Sequence, residues 1–184
     1  MNPRTCFAAL FVFSLSSQPV FAAQEMLLRE RCHQGECTFA KIIQTKTVGK
    51  NDGGYMLEVK ARSVVVRAPK GGGEPEKIPE AGSFGLVRVS YAYCSKQRPG
   101  VIFYDNRKFY AHLLKVGETS AGYETDSHIE YWAACHNKIV SAGDVMKGNV
   151  AKDAADLGYG KFPEKWGKQV EFRNKTKAFK YFGL

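Results

Sequence analysis

The residues of this sequence best suited to acid–base chemistry stand together between Asp126 and Glu130. Within this stretch Ser127 supplies a hydroxyl, His128 supplies a base, and the two carboxylates can orient that base or share its proton. A hydrolase that pairs a histidine with a carboxylate needs these side-chain types. His128 and Glu130, together with His112 from an upstream strand, are therefore the candidate catalytic residues, and Asp126 is a further carboxylate.

A structural interpretation of the same stretch competes with the catalytic one. Catalytic triads are assembled from separate loops rather than from neighbours in sequence, and the Gly-x-Ser-x-Gly turn of many hydrolases is absent. Asp126 and Ser127 have the oxygens of helix-capping residues, and Glu130 completes a capping box three residues after Ser127. The helix start is the preferred interpretation, so no catalytic set is assigned and the protein is expected not to be an enzyme.

Cysteine usage predicts two disulfide bonds. Four of the five cysteines, Cys32, Cys37, Cys94 and Cys135, lie after the first 22 residues. An even number of cysteines in an exported chain indicates disulfides, and four cysteines allow three pairings. Proximity favours a small loop closed by Cys32 and Cys37, which leaves Cys94 to pair with Cys135.

We expect no metal ion and no cofactor. His33 and His136 each adjoin a cysteine, which makes a zinc site the alternative to disulfides. The paired C-x-x-C spacing of zinc modules is absent, and an oxidising compartment opposes free thiolates. The same pairing argument assigns Cys135 to a disulfide rather than to a nucleophile. The Gly71–Gly73 run is not followed by Gly-Lys-Ser/Thr, so it does not indicate a phosphate loop.

Residues 1–22 have the three-part organisation of a secretory signal peptide. Arg4 is followed by an apolar run from Phe7 to Leu15 and by small residues that end at Ala22. Polar residues and a proline interrupt the run, which falls short of the roughly 20 apolar residues of a spanning helix. We predict cleavage after Ala22, a single globular domain over 23–184, a mature form that does not span the membrane, and a periplasmic or secreted location.

The chain is basic, with 27 Lys and Arg against 18 Asp and Glu for a net charge of +9. Basic and aromatic residues alternate toward the C-terminus, where Lys175, Lys177 and Lys180 are the predicted binding lysines. Tyr104 and Tyr110 flank a predicted hairpin tip and are candidate contact residues, since tyrosine is a favoured interface residue. The alternative is a solvated basic face on a packed C-terminal unit. The predicted partner is a protein or an anionic envelope component; no nucleic acid is expected.

These residues are positioned by strands in the first two-thirds of the chain. Alternating apolar residues and β-branched or aromatic runs predict about five strands. They lie at 37–47, 55–61 with a possible extension to 66, 84–93, 101–104 and 108–114. In the third of these, the apolar residues fall on one face while Arg88 and Ser90 point the other way. The segment from Gln24 to Arg31 is interpreted as a polar lead-in or one helical turn.

The last third changes to a helical period. A helix starting near Ser127 would bury Ile129, Trp132 and Ala133 on one side. A second helix is predicted from Ser141, with Asp144 in its cap, to Gly158. A short strand over 169–172 and a terminal helix over 176–182 complete the pattern. The sequence thus predicts an α+β fold with a mostly antiparallel sheet, followed by two or three helices and stapled by disulfides.

The leading functional hypothesis is an exported small binding protein, such as an inhibitor or immunity-type partner of another macromolecule. Small size, positive charge and the lack of an assigned catalytic set favour it. The alternatives are a small secreted hydrolase that uses a His–carboxylate site, and an envelope polyanion binder that uses the C-terminal lysines. A deep pocket in which His128 or His112 meets Glu130 or Asp126 would favour the hydrolase.

Overall fold

The structure, a computed structural model, describes residues 26–70, 75, 79–85 and 87–184 of the chain. In those residues seven antiparallel strands form one sheet in chain order, so each strand pairs with its neighbour in sequence. The strands are β1 (Met26–His33), β2 (Glu36–Asn51), β3 (Gly54–Arg67), β4 (Val87–Cys94), β5 (Gly100–Asp105), β6 (Lys108–Leu113) and β7 (Gln169–Phe172). The helices are α1 (Tyr123–His136), α2 (Ala142–Lys147), α3 (Ala151–Asp156) and α4 (Lys175–Lys180), with a 3-10 turn over Ala81–Ser83. The predicted signal peptide and the Gly71–Gly73 run lie outside the described residues.

The α+β class is confirmed, but the predicted number of about five strands is wrong. The segment interpreted as a lead-in is strand β1, which pairs with β2 so that Leu28 lies opposite Ala40. The alternation of β1 was not recognised because the next inward-facing position after Leu28 holds a charged residue, Glu30, which is 4% exposed. Strand β7 coincides with the predicted strand over 169–172.

Both faces of the sheet are covered. On one face, buried residues such as Val59 and Ala92 pack with α1, α2 and α3. On the other face, Tyr93 and Ile102 pack with α4 and the C-terminal residues, including Phe182. Successive side chains of a strand point to opposite faces, which is why neighbouring residues of β4 and β5 belong to different cores.

Among the described residues, no helix combines the length and the apolar character needed to cross a bilayer.

The helical boundaries differ from the predicted ones at two places. Helix α1 begins at Tyr123 after Gly122, so Ser127 and Glu130 lie inside the helix and the predicted capping box there is wrong. Ser141 and Asp144 do form a capping box, as predicted. The helix that begins there ends at Gly148, whose φ of 72° is left-handed, and the chain continues as the separate helix α3. The described residues therefore hold four helices rather than two or three.

Two disulfide bonds join elements of the sheet and its helical cover. Cys32 and Cys37 link β1 to β2 beside their hairpin turn, and Cys94 and Cys135 link the end of β4 to the end of α1. This is the pairing that the spacing favoured. Disulfides are typical of oxidising, extracellular compartments.

Candidate functional site

A pocket lies between helix α1 and the sheet face that α1 covers. It has a volume of about 270 Å³, opens to solvent, and is called the carboxylate pocket below. Residues of β1, β4, β5, α1 and the start of β7 line it: Glu30, Arg88, Val89, Ser90, Val101, Phe103, Tyr104, Tyr123, Asp126, Ser127, Glu130 and Gln169.

Within this pocket, Arg88 stands between two buried carboxylates. Its Nη2 donates to Glu30 Oε1 and lies 4.0 Å from Glu130 Oε2. Ser90, two residues further along β4, donates from its Oγ to Glu130 Oε1. Burial raises the pKa of Glu130, and the attraction of Arg88 and the bond from Ser90 oppose that rise. One guanidinium thus serves two carboxyl groups, which leaves the pocket acidic when both are ionised.

Asp126 adds a third carboxylate, one helical turn before Glu130. Its Oδ1 accepts a hydrogen bond from the Arg31 backbone N–H at 3.0 Å, and its Oδ2 lies 3.4 Å from Arg31 Nε. Burial raises the pKa of Asp126 to about 6; Glu30 acts in the same direction, while Arg31 and Arg88 oppose it. This carboxyl group therefore exchanges its proton in the range where many ligands change charge.

One buried polar atom at the pocket has no hydrogen-bond partner among the described residues. It is the Nε of Arg88. Buried polar atoms are normally hydrogen-bonded, so this N–H can be satisfied by an acceptor on a bound molecule. Ser127, which is 8% exposed, also lines the pocket.

The walls of the pocket are partly apolar. Tyr123 is 50% exposed, and Phe103 packs on the α1 side of the sheet. Val89 and Tyr104 border the pocket, but they alternate along their strands with Ser90 and Phe103, so their side chains point to the opposite face. Apolar walls with a few convergent polar groups are typical of a binding site. The pocket therefore combines apolar walls with an acidic interior.

The two candidate histidines do not line the carboxylate pocket. His112, on β6, bonds through Nε2 to Gly167 O at 3.1 Å, and its ring centre lies 6.5 Å from that of His128. Burial lowers the pKa of His112 to about 4 and that of His128 to about 3. The structure thus brings the two histidines together as a buried neutral pair. It brings Glu130 and Asp126 together elsewhere, on the pocket side of α1.

The predicted contact residues fall in three different places. Tyr104 lies on the pocket rim, whereas Tyr110 is half-buried and stacks on Phe103 with ring centres 5.5 Å apart. The lysines lie on α4, on the other face of the sheet. Lys175 Nζ lies 5.5 Å from the ring centre of Tyr91, and Lys177 and Lys180 are exposed.

Sequence reasoning missed Glu30 and Arg88 as site residues. Both are charged residues at inward-facing strand positions, and the alternation of β4 already placed Arg88 and Ser90 on one face. A charged residue at an inward-facing position, with apolar residues beside it in the strand, was the available sign of a buried ion pair. The sequence did not identify the partner, because the partner comes from another element.

Arg31 and Arg88 provide the counter-charge for the acids of the site. Among residues 26–70, 75, 79–85 and 87–184, no group of three or more His, Cys, Asp or Glu side chains is placed to hold a metal ion. Comparison of the chain with protein-family models, with curated proteins and with solved structures finds no match.

Proposed function

We propose that this chain is an exported, periplasmic or secreted binding protein that receives a cationic side chain of a partner protein in the carboxylate pocket. The observation that supports the proposal most directly is the combination of three carboxyl groups inside the pocket with the aromatic walls that Phe103 and Tyr123 provide. An inhibitor or an immunity-type partner of another macromolecule is the class of protein that works in this way.

The shape of a lysine or arginine side chain matches the two zones of the pocket. Such a side chain has an apolar stem and a charged head, and it buries the stem against apolar surface. Phe103 and Tyr123 offer aromatic faces for the stem or for a cation–π contact. The head would then reach Asp126 and Glu130, with Ser127 beside them in the pocket lining.

A partner cation also relieves an unfavourable feature of the free protein. Glu30 and Glu130 share the single guanidinium of Arg88, and burial raises the pKa of Glu130 and Asp126. A bound cation favours the ionised form of both carboxyl groups. Binding should therefore strengthen as the pH rises through about 6, because protons leave Asp126 when the cation enters.

The hydrolase alternative predicts that His128 or His112 meets Glu130 or Asp126 in one pocket. Neither histidine lines the carboxylate pocket; His128 lines a different pocket, with Glu118 and Glu124. Burial lowers the pKa of His128 to about 3, which makes it a weak base, and we therefore favour binding over His–carboxylate catalysis.

The test uses n-butylguanidinium as a small probe of the arginine side chain, with binding followed by NMR chemical-shift changes of the mature protein. We expect chemical-shift changes at Ser127 and Glu130 that increase with pH and are absent in the Asp126→Asn variant. The matched control is Asp156→Asn, which removes an exposed carboxylate of α3 that pairs with Lys152. Equal shifts in both variants, or shifts centred on His112 and His128, would reject the carboxylate pocket as the binding site.

A further inference from the structure

A second cavity, of about 460 Å³, lies on the opposite face of the sheet from the carboxylate pocket. Ala111 and Leu113 of β6 belong to the core on that face, and Val170 of β7 pairs with Ala111 and so shares its side. Arg98, Lys165 and Lys168 surround the cavity, with Trp166 and Tyr181 among its walls. We call it the basic pocket.

The loop that carries the two lysines is anchored to the sheet. Gly167 N donates to Leu113 O at 3.0 Å, and Gly167 O accepts from His112 Nε2 at 3.1 Å. Trp166 N donates to Pro163 O at 3.0 Å, which closes a tight turn before the anchor. The loop backbone at Lys165 and Lys168 is therefore held in place beside the cavity. The buried neutral His112 finds a role here, because it fixes this loop rather than acting in the carboxylate pocket.

Arg98 is also fixed in place. Its Nη2 donates to Tyr181 O at 2.6 Å, and its guanidinium lies 5.5 Å from the centre of the Tyr181 ring. This contact joins the loop after β4 to the end of the chain after α4. The remaining guanidinium N–H groups are left to bind an anion, and guanidinium groups suit phosphate oxygens.

The lining of the basic pocket carries positive charge without a carboxylate. No Asp or Glu lines it, and neither Lys165 nor Lys168 makes an ion pair within 4 Å in the described part of the chain, although Lys168 also borders the neighbouring pocket that Glu118 and Glu124 line. Three cations around one cavity exceed the charge of a single carboxylate and suit an anion of higher charge, such as a phosphate dianion or a pair of linked phosphates. The indole of Trp166 and the side chains of Leu113 and Val170 give an apolar wall for the group that carries the phosphate.

We infer that the basic pocket binds a phosphate group. The inference does not depend on the proposed function, since it concerns other residues on the other face of the sheet. A phosphate group has two chemical sources: the headgroup of an anionic phospholipid, or a free phosphate compound. Both offer the same oxygens to Arg98, Lys165 and Lys168, so the experiment needs one arm for each.

The experiment uses the mature protein, its tryptophan fluorescence and two probes. Trp166 lies in the wall of the basic pocket and Trp132 is fully buried, so a probe-dependent change is expected from Trp166 and should vanish in Trp166→Phe. The soluble probe is inorganic pyrophosphate. The membrane probe is a phosphatidylglycerol-containing vesicle, compared with a vesicle of phosphatidylcholine alone and followed by co-sedimentation.

The test variant is Lys165→Gln with Lys168→Gln, and the matched control is Lys177→Gln with Lys180→Gln. Both pairs remove two positive charges from exposed lysines, but only the first pair lines the basic pocket. We expect the test variant to weaken binding by about tenfold or more, and the control by less than about threefold, because local charge-assisted bonds outweigh screened distant charges.

If the test variant, but not the control, loses binding of pyrophosphate, the basic pocket binds a free phosphate compound. If the test variant, but not the control, loses binding of the phosphatidylglycerol vesicles and keeps pyrophosphate binding, the pocket binds a lipid headgroup. An equal loss in the two double variants would overturn the inference in favour of unspecific attraction by net charge. The absence of binding to either probe by the unmodified protein would overturn it as well.

Discussion

The two pockets lie on opposite faces of one sheet and differ in the sign, the burial and the pairing of their charges. In the carboxylate pocket, Glu30 and Glu130 are buried under α1 and share one guanidinium. In the basic pocket, Lys165 and Lys168 are exposed on a loop and have no acidic partner in the described chain. Buried charges are costly unless they are paired, whereas exposed charges contribute little to stability and are screened by salt. The first pocket should therefore respond to pH and to the integrity of the fold, and the second to ionic strength.

The largest expected effect comes from the disulfide that holds α1 over the carboxylate pocket. Replacing Cys94 and Cys135 by alanine opens a loop of 41 residues, which the chain-entropy model values at about 4 kcal/mol of unfolding free energy. Replacing Cys32 and Cys37 opens a loop of 5 residues and should cost about 2 kcal/mol. Urea denaturation of the two double variants measures both losses.

The same pair of variants sharpens the comparison of the pockets. Under conditions where both remain folded, loss of the Cys94–Cys135 bond should weaken n-butylguanidinium binding and leave pyrophosphate binding unchanged. Equal stability losses for the two disulfides would contradict the chain-entropy argument. Loss of pyrophosphate binding would show that the two faces are not independent.

A smaller but more specific effect is expected when the shared guanidinium is removed. Arg88→Met leaves Glu30 and Glu130 without their cation and should lower the free energy of unfolding by about 2–3 kcal/mol. This is less than the roughly 3–5 kcal/mol of a fully buried pair, because the Arg88 side chain is 37% exposed. Removing Lys165 and Lys168 together should change the free energy of unfolding by less than about 0.5 kcal/mol.

Chemical denaturation near neutral pH compares these variants directly. Adding Glu30→Gln to Arg88→Met should recover part of the loss, since it removes one of the two unpaired carboxylates. If Arg88→Met changed the free energy of unfolding as little as the removal of Lys165 and Lys168 does, the carboxylates of the pocket would have to be protonated or solvated. The contrast between the two pockets would then not hold.

The third effect is a pH dependence of about 1–2 kcal/mol that belongs to Asp126. Because burial raises the pKa of its carboxyl group from 3.8 to about 6, the folded state binds this proton more tightly than the unfolded state. The contribution of Asp126 to stability is therefore complete below about pH 4 and is lost as the pH rises through about 6. Asp126→Asn should lack this loss, so its stability relative to the unmodified protein should rise over that interval.

The quantity to measure is the difference in unfolding free energy between Asp126→Asn and the unmodified protein, obtained by urea denaturation from about pH 4 to about pH 7. His112 and His128 have lowered pKa values, so their contribution to stability changes in the opposite direction and increases with pH up to about 6.5. That contribution is common to both proteins and cancels. A difference that stays constant with pH would mean that the pKa of Asp126 is not raised.

Several features could be predicted because each depends on residues close in sequence or on simple counting. The parity of the cysteines indicated two disulfides, and short spacing favoured the Cys32–Cys37 pair that the structure contains. The capping box at Ser141 and Asp144 is formed within a single turn, and the strand over 169–172 has its predicted bounds. Local chemistry decides these features, so local patterns predict them.

The candidate site was only partly predictable. Asp126 and Glu130 stood out as carboxylates, but their nearest sequence neighbours suggested a helix start and a partnership with His128. The helix in fact begins at Tyr123, and the two residues from His128 to Glu130 correspond to about 200° of rotation, so the two side chains lie on opposite sides of α1. Helix geometry thus assigned neighbours in sequence to different surroundings.

The amino-acid sequence by itself determined the α+β class, the alternation of the strands and the cysteine count, because these follow from residue type and short-range spacing. Only the tertiary structure decided that Glu30 of β1, Arg88 of β4 and Glu130 of α1 meet in one pocket. It likewise decided that Arg98 meets the loop of Lys165 and Lys168 on the other face. The physical reason is that a charge remains at an inward-facing position only if a partner from a distant part of the chain offsets its desolvation, and that partner leaves no local pattern in the sequence.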